Sequence, residues 1–160
     1  MNHTDNIIIR LAGSQQEFDD AIELFKEYAK AINFDAGFKN FNEELTSLSI
    51  HYSAPNGCLL LAYKNNEAIG CVAVKKTQQE TAELKRFYVK PEFRKFKVGA
   101  RLLETAVENA KQLQFHYLRL EVIPTLTRAK ELYYSFGFYS IEPYQPVALE
   151  GTAYMEKKLI

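Results

Sequence analysis

At 160 residues, 47% hydrophobic and 25% charged, the chain has the size and composition of one ordinary domain that buries a core without metal or disulfide staples. Twenty basic residues balance twenty acidic ones, which excludes a globally charged partner-binding chain, and Cys58 and Cys71 lack the spacing and the histidines of a zinc site. The apolar run Ile7 to Ile9 is too short for a signal peptide and no stretch approaches a membrane span, so the expectation is a cytoplasmic protein without metal, membrane or nucleic-acid partner.

The apolar periodicity alternates between strand and helix spacing, as in an α/β architecture. Ile7 to Leu11 is expected to be a first strand. After Ser14, residues Phe18, Ala21, Ile22, Phe25, Tyr28, Ala29 and Ile32 fall on one helical face. Asn42 is the expected cap of a shorter helix with Glu43 and Glu44 in its first turn and Leu45 and Leu48 turned inward. Cys58 to Lys64 and Ala68 to Lys75, joined through Asn65, Asn66 and Glu67, have the pattern of a hairpin. Thr81 to Val89 is a further strand, ended by Pro91. A basic loop then enters a helix that buries Val98, Leu102, Leu103, Ala106, Val107, Ala110 and Leu113. Phe115 to Val122 follows, and the intervening helix makes it a natural parallel neighbour of Thr81 to Val89. A last helix is expected from about Thr127 to Phe136, stopped by Gly137, with final strands at Phe138 to Ile141 and Ala153 to Leu159.

Two segments resemble the signature motifs of the GNAT acetyltransferase superfamily. One is Ala82-Glu83-Leu84-Lys85-Arg86-Phe87-Tyr88-Val89-Lys90-Pro91-Glu92-Phe93-Arg94, and the other is Ala129-Lys130-Glu131-Leu132-Tyr133-Tyr134-Ser135-Phe136-Gly137-Phe138. The opening Glu23 to Tyr28 and closing Ala153 to Glu156 are similar to a widespread bacterial branch without an assigned substrate, so the resemblance spans nearly the whole chain. It implies a mixed, mostly antiparallel sheet of about six to seven strands with about four helices, forming one acyltransferase domain over residues 1–160. It also implies coenzyme A, delivered as acetyl-CoA, at a splayed pair of parallel strands. Dimers recur in the superfamily, and the apolar final strand is the expected interface for a homodimer.

The resemblance assigns the phosphate loop to Arg94, Lys95, Phe96, Lys97, Val98, Gly99 and Ala100. Relatives commonly have glycine where Lys95 and Lys97 stand, because glycine tolerates positive φ and lets backbone N–H groups approach phosphate oxygens. A lysine either obstructs that approach or brings an ammonium to the phosphates; seven basic residues against one acidic between Lys85 and Arg101 favour compensation. Leu126 stands where many relatives have a cofactor-contacting asparagine.

Acetyl transfer to an amine needs a polarised carbonyl, a proton acceptor and a proton donor. The resemblance gives the first task to backbone N–H groups near Phe87, Tyr88 and Val89. Glu83 is the candidate base: four residues before Phe87, it is expected on the same face of the strand, about 13 Å along it. Its alternative role is a surface glutamate paired with Arg86 or Lys85. Tyr133 matches the family's proton donor to the leaving sulfur, and its alternative is a core aromatic; Tyr134 is expected to pack elsewhere. Phe38, Phe41 and Tyr144 lie in segments that border the acceptor pocket in relatives. His116, His3, His51 and Cys71 carry no telling spacing and read as structural.

Three readings remain at this stage. The leading one is N-acetyltransfer to a primary amine of a small molecule, amino acid or peptide. The second is a non-catalytic acyl-CoA-binding or regulatory module of the same fold. The third, a nucleic-acid patch made by the basic stretch, is disfavoured by the neutral chain.

Overall fold

The computed structural model describes residues 6–33 and 40–160. Its chain order is β1 (Ile7–Leu11), α1 (Gln15–Ala31), α2 (Phe41–Leu45), α3 (Leu48–His51), β2 (Gly57–Lys64), β3 (Glu67–Gln78) and β4 (Thr81–Val89). A 3-10 turn (Pro91–Phe96), α4 (Val98–Gln112), β5 (Tyr117–Val122), α5 (Thr127–Ser135), β6 (Tyr139–Ile141) and β7 (Ala153–Lys158) complete it. The expected strands are present. Among the described residues there are five α-helices and one 3-10 turn, more than the four expected, because the segment after α1 divides into two short helices.

Local chemistry accounts for the element ends. Ser14 caps α1 with a reciprocal capping box: its hydroxyl accepts from the Glu17 amide at 3.1 Å, while its own amide donates to Glu17 Oε1 at 2.9 Å. Asn42 is not the cap of α2. Phe41 opens that helix because its ring is buried, and the preceding Asn40 takes the left-handed conformation at φ 60°. Leu48 is buried as expected but begins α3. Asn65 and Asn66, both at positive φ, make the two-residue hairpin turn between β2 and β3 that matches strand twist. Gly137 at φ 89° stops α5.

All seven strands form one sheet in the order β1-β2-β3-β4-β5-β7-β6, antiparallel except for β4 against β5. Two apolar cores cover its faces. One joins α4 to Leu60, Val72, Val74, Ala82, Leu84, Leu118 and Leu120; the other joins α1 to Leu59, Leu61, Cys71, Ala73 and Tyr88. At about 25 cal/mol per Å² of apolar area, fully burying each such aliphatic side chain contributes about 1.5–3 kcal/mol. No helix among the described residues is long and apolar enough to cross a membrane.

Two irregularities of β4 create the cavity. Its pairing with β5 covers only Thr81 with Tyr117, Ala82 with Leu118 and Glu83 with Arg119; beyond that rung the strands part. Its pairing with β3 shifts between Ala73–Lys85 and Cys71–Tyr88, so Val72 faces two residues, Arg86 and Phe87. Arg86 sits in this bulge at φ 57°. The bulge reverses the alternation. Ala82 and Leu84 face α4 before it and Val89 faces α4 after it, with the Phe87 ring packed on the same core. Glu83 therefore lies on the α1 face and Phe87 on the α4 face, correcting the same-face expectation: a period of two holds only while the ladder is regular.

Candidate active site

Where β4 and β5 part, a cavity of about 720 Å³ opens. Glu83, Lys85 and Arg86 line it from one side; Phe87, Gly99, Ala100, Leu132 and Tyr133 line it from the other. The two candidate catalytic side chains thus reach one cavity from opposite faces of the sheet.

The strand edge supplies amides. The Lys90 N–H donates to the Ile69 carbonyl of β3 at 2.8 Å, whereas the Val89 carbonyl accepts from Arg94 Nε at 2.8 Å. Adjacent residues of a strand turn their polar groups to opposite edges, and one residue's N–H and C=O share an edge. The Val89 amide therefore points away from β3 into the cleft, as does that of Phe87 two residues earlier, while Tyr88 turns its amide to β3. Tyr88 contributes its ring, 5.8 Å from that of Tyr28 and 5.7 Å from the Arg94 guanidinium.

The start of α4 supplies more. Its first helical bond runs from the Arg101 amide to the Lys97 carbonyl at 3.2 Å, so the amides of Val98, Gly99 and Ala100 precede the ladder, and no side chain caps them. Lys97 holds the left-handed conformation at φ 59° and ψ 27°, the geometry glycine commonly provides. Lys97 lines the cavity, as does Arg94. Lys95 does not: its ammonium lies over the Phe96 ring at 5.3 Å, and Phe96 also receives Lys64 at 5.1 Å. Val98 is buried in the core. Gly99 has no room for a larger residue without displacement, since a Cβ there would stand 3.2 Å from Phe87 Cζ. Uncapped amides, a side-chain-free approach at Gly99 and two cations fit a bound diphosphate such as that of coenzyme A.

Tyr133 is buried against Phe87 and Phe138, with ring centres 5.9 and 5.6 Å away. Its phenol has no hydrogen-bond partner among the described residues. Burial, and then the neighbouring Tyr28, push its pKa above the ordinary tyrosine range, so it keeps its proton throughout neutral pH. Tyr134 faces outward and its hydroxyl pairs with Ser140 at 2.8 Å.

Glu83 accepts a hydrogen bond on Oε2 from the Tyr144 hydroxyl at 2.7 Å, and its Oε1 lies 3.8 Å from the Lys85 ammonium. Burial first, and Arg86 second, draw the Lys85 pKa below its ordinary value. Arg86 does not pair with Glu83. It is held by Glu44 of α2, its Nε donating to Oε2 at 2.9 Å, and Tyr52 donates to the same oxygen at 2.9 Å. Burial raises the Glu44 pKa, but the Arg86 hydrogen bond and charge outweigh it and hold the carboxyl below its usual range. Phe41 packs beside this pair, 6.0 Å from the guanidinium; Phe38 lies outside the described residues.

Glu121 and Tyr28 also line the cavity and were not anticipated. Glu121 had a signal in its sequence: it alternates with the buried Leu118, Leu120 and Val122 and so belongs to the opposite face of β5. Leu126 lines the cleft, leaving an apolar contact in place of the amide that relatives offer. His3 lies outside the described residues. His116 pairs with Glu80 at 3.2 Å, and Cys58 and Cys71 are buried, with burial pushing the Cys58 thiol up to about 12.

Residues 18–138 match the model of the acetyltransferase (GNAT) family. The chain belongs to that family. It is 33% identical over 161 residues to an uncharacterised N-acetyltransferase of Schizosaccharomyces pombe, covering 99% of each chain. Its fold is similar to an acetyltransferase of the GNAT family from Staphylococcus aureus, with a TM-score of 0.80, 19% identity, and 96% and 99% of the two chains covered. It is also similar to a putative acetyltransferase from Salmonella typhimurium solved with its cofactor acetyl-CoA, at a TM-score of 0.73, 17% identity, and 97% and 95% coverage.

Proposed function

We propose that this chain is a cytoplasmic, single-domain N-acetyltransferase that moves an acetyl group from acetyl-CoA to a primary amine of a small molecule, amino acid or peptide. The observation that carries the reading is one cavity, at the parting of β4 and β5, that gathers free strand amides, an uncapped helix start, a carboxylate and a protonated phenol.

Each residue has a task. Acetyl-CoA, when bound, supplies the acetyl group as a thioester. The amides of Val98, Gly99 and Ala100, with Lys97 and Arg94, offset diphosphate charge at the α4 end. The Phe87 and Val89 amides lie along the open edge of β4, where a carbonyl oxygen that gains charge would be held without reorganisation. An alkyl amine has a solution pKa of about 10, so it must lose a proton before it attacks; Glu83 Oε1 accepts that proton through water. Tyr133 Oη donates a proton on the opposite side of the cavity, where the thiol departs. Donor and acceptor of protons are thereby separated by the sheet and do not quench each other.

Calorimetric titration with acetyl-CoA, coenzyme A and ATP, followed by a thiol-release screen of amines, tests the proposal. Saturable acetyl-CoA binding well below millimolar, weaker ATP binding and amine-dependent thiol release are expected. Binding without release for any amine class would favour the non-catalytic module instead.

A further inference from the structure

We infer that Tyr144 is a positioning residue that holds Glu83 in the geometry needed for proton acceptance; this rests on the reading of Glu83 as the base. Residues 142–152, between β6 and β7, carry Tyr144 onto the same sheet face as Glu83, 61 positions away in sequence. Its hydroxyl is its contact with the carboxylate, at 2.7 Å on Oε2.

The ring is fixed independently of that bond. Tyr154 of β7 meets it edge-on, with centres 5.2 Å apart and planes at 85°. The Arg119 guanidinium lies 5.6 Å from the ring centre on another side. Arg119 is itself immobilised, its Nε donating to Glu156 Oε2 at 2.8 Å while the Tyr139 hydroxyl donates to the other oxygen of that carboxylate. Arg119 is also the partner of Glu83 in the last rung of the parallel ladder. The support and the supported residue therefore share one fixed frame at the point where the strands part.

The contacts of Glu83 are asymmetric. Oε2 is engaged by a short neutral hydrogen bond, whereas Oε1, among the described residues, faces the Lys85 ammonium at 3.8 Å, beyond hydrogen-bond length. A phenol donor orients a carboxylate without neutralising it. Oε1 is left to receive a proton. A glutamate otherwise retains rotamer freedom at three torsions, and losing one orienting bond spreads the carboxylate over geometries that do not reach the amine.

The test is a double-mutant cycle with an amine that the unmodified protein acetylates. Tyr144→Phe keeps the ring, and with it the Tyr154 and Arg119 contacts. It is expected to lower kcat about tenfold, the loss typical of one hydrogen bond to a charged group, with the KM for acetyl-CoA and the melting temperature unchanged. Added to Glu83→Gln, the same substitution is expected to cost less than twofold. Full additivity of the two losses, or an unchanged kcat in Tyr144→Phe while Glu83→Gln is slow, overturns the positioning role and leaves the base assignment standing. Wild-type turnover in Glu83→Gln overturns the base assignment and the positioning role with it.

Discussion

The rings of Phe87 and Tyr133 meet at 5.9 Å with their planes inclined by 48°, joining the open edge of β4 to the helix that carries the proposed proton donor. Through this contact the Tyr133 hydroxyl is fixed relative to the amides that would hold the acetyl carbonyl. Tyr133→Phe preserves the packing and removes only the proton. Steady-state kinetics are expected to show kcat reduced by about 100-fold, the lower end of general acid catalysis, with the acetyl-CoA dissociation constant unchanged. Undiminished turnover would return Tyr133 to the role of a core aromatic.

Lys97 tests how a lysine serves where relatives place glycine. Its backbone already holds the left-handed conformation, so Lys97→Gly leaves the loop path intact and removes the ammonium of a residue that lines the cavity. Titration should show acetyl-CoA binding weakened several-fold, with a shallower dependence on salt. Tighter binding in the variant would mean that the side chain obstructs the phosphates.

Gly99→Val makes the opposite kind of change. A side chain there meets the Phe87 ring, its Cβ 3.2 Å from Cζ, in the first turn of α4. The variant is expected to fold, as judged by circular dichroism and a cooperative melt, and to bind acetyl-CoA at least tenfold more weakly. Unimpaired binding would show that the diphosphate lies elsewhere.

The Glu44–Arg86 pair has a signature in pH. The Glu44 pKa is depressed in the folded state, so its contribution to stability is present above the unfolded value of about 4.3 and is lost as pH falls through the lower folded value. Glu44→Gln removes the carboxylate charge that faces Arg86 and should cost about 2–4 kcal/mol at neutral pH. Urea denaturation from pH 7 to pH 3 is expected to show the gap between the two proteins narrowing below about pH 4. A gap that stays constant with pH would mean the pair acts through shape alone.

Most of the architecture was legible because it follows from periodicity and a few special residues. The alternation in Thr81 to Val89, the apolar stripe from Val98 to Ala110, and Gly137 after Tyr133 each specify one local geometry, and all appear. The α2 boundary was not legible, since Asn42 has the residue type of a cap while the burial of Phe41 starts the helix one residue earlier, with no side-chain cap from Asn40. Nor was the bulge at Arg86. A non-glycine residue at positive φ leaves no mark in a pattern, and the face reversal follows from it. The bond from Tyr144 to Glu83 depends on how the loop before β7 returns across the sheet, which no local spacing encodes. Lys85 and Arg86 were both offered as partners for Glu83; only Lys85 stands beside it, because α2 supplies Arg86 with a carboxylate of its own.

That single supernumerary residue also sets how this strand tolerates change in length. Excising Arg86 would not shorten β4 harmlessly, as trimming a surface loop does; it would leave Phe87 alone opposite Val72 and restore a regular ladder. Phe87 and Val89 would keep the α4 face and Tyr88 the α1 face, because Leu84, Lys85, Phe87, Tyr88 and Val89 would then alternate without interruption. What the deletion would remove is the kink, and with it one of the two irregularities of β4 that open the cavity. Substitutions at this position are therefore separable from deletions: the first lose a guanidinium, whereas the second straighten the strand where the cleft opens.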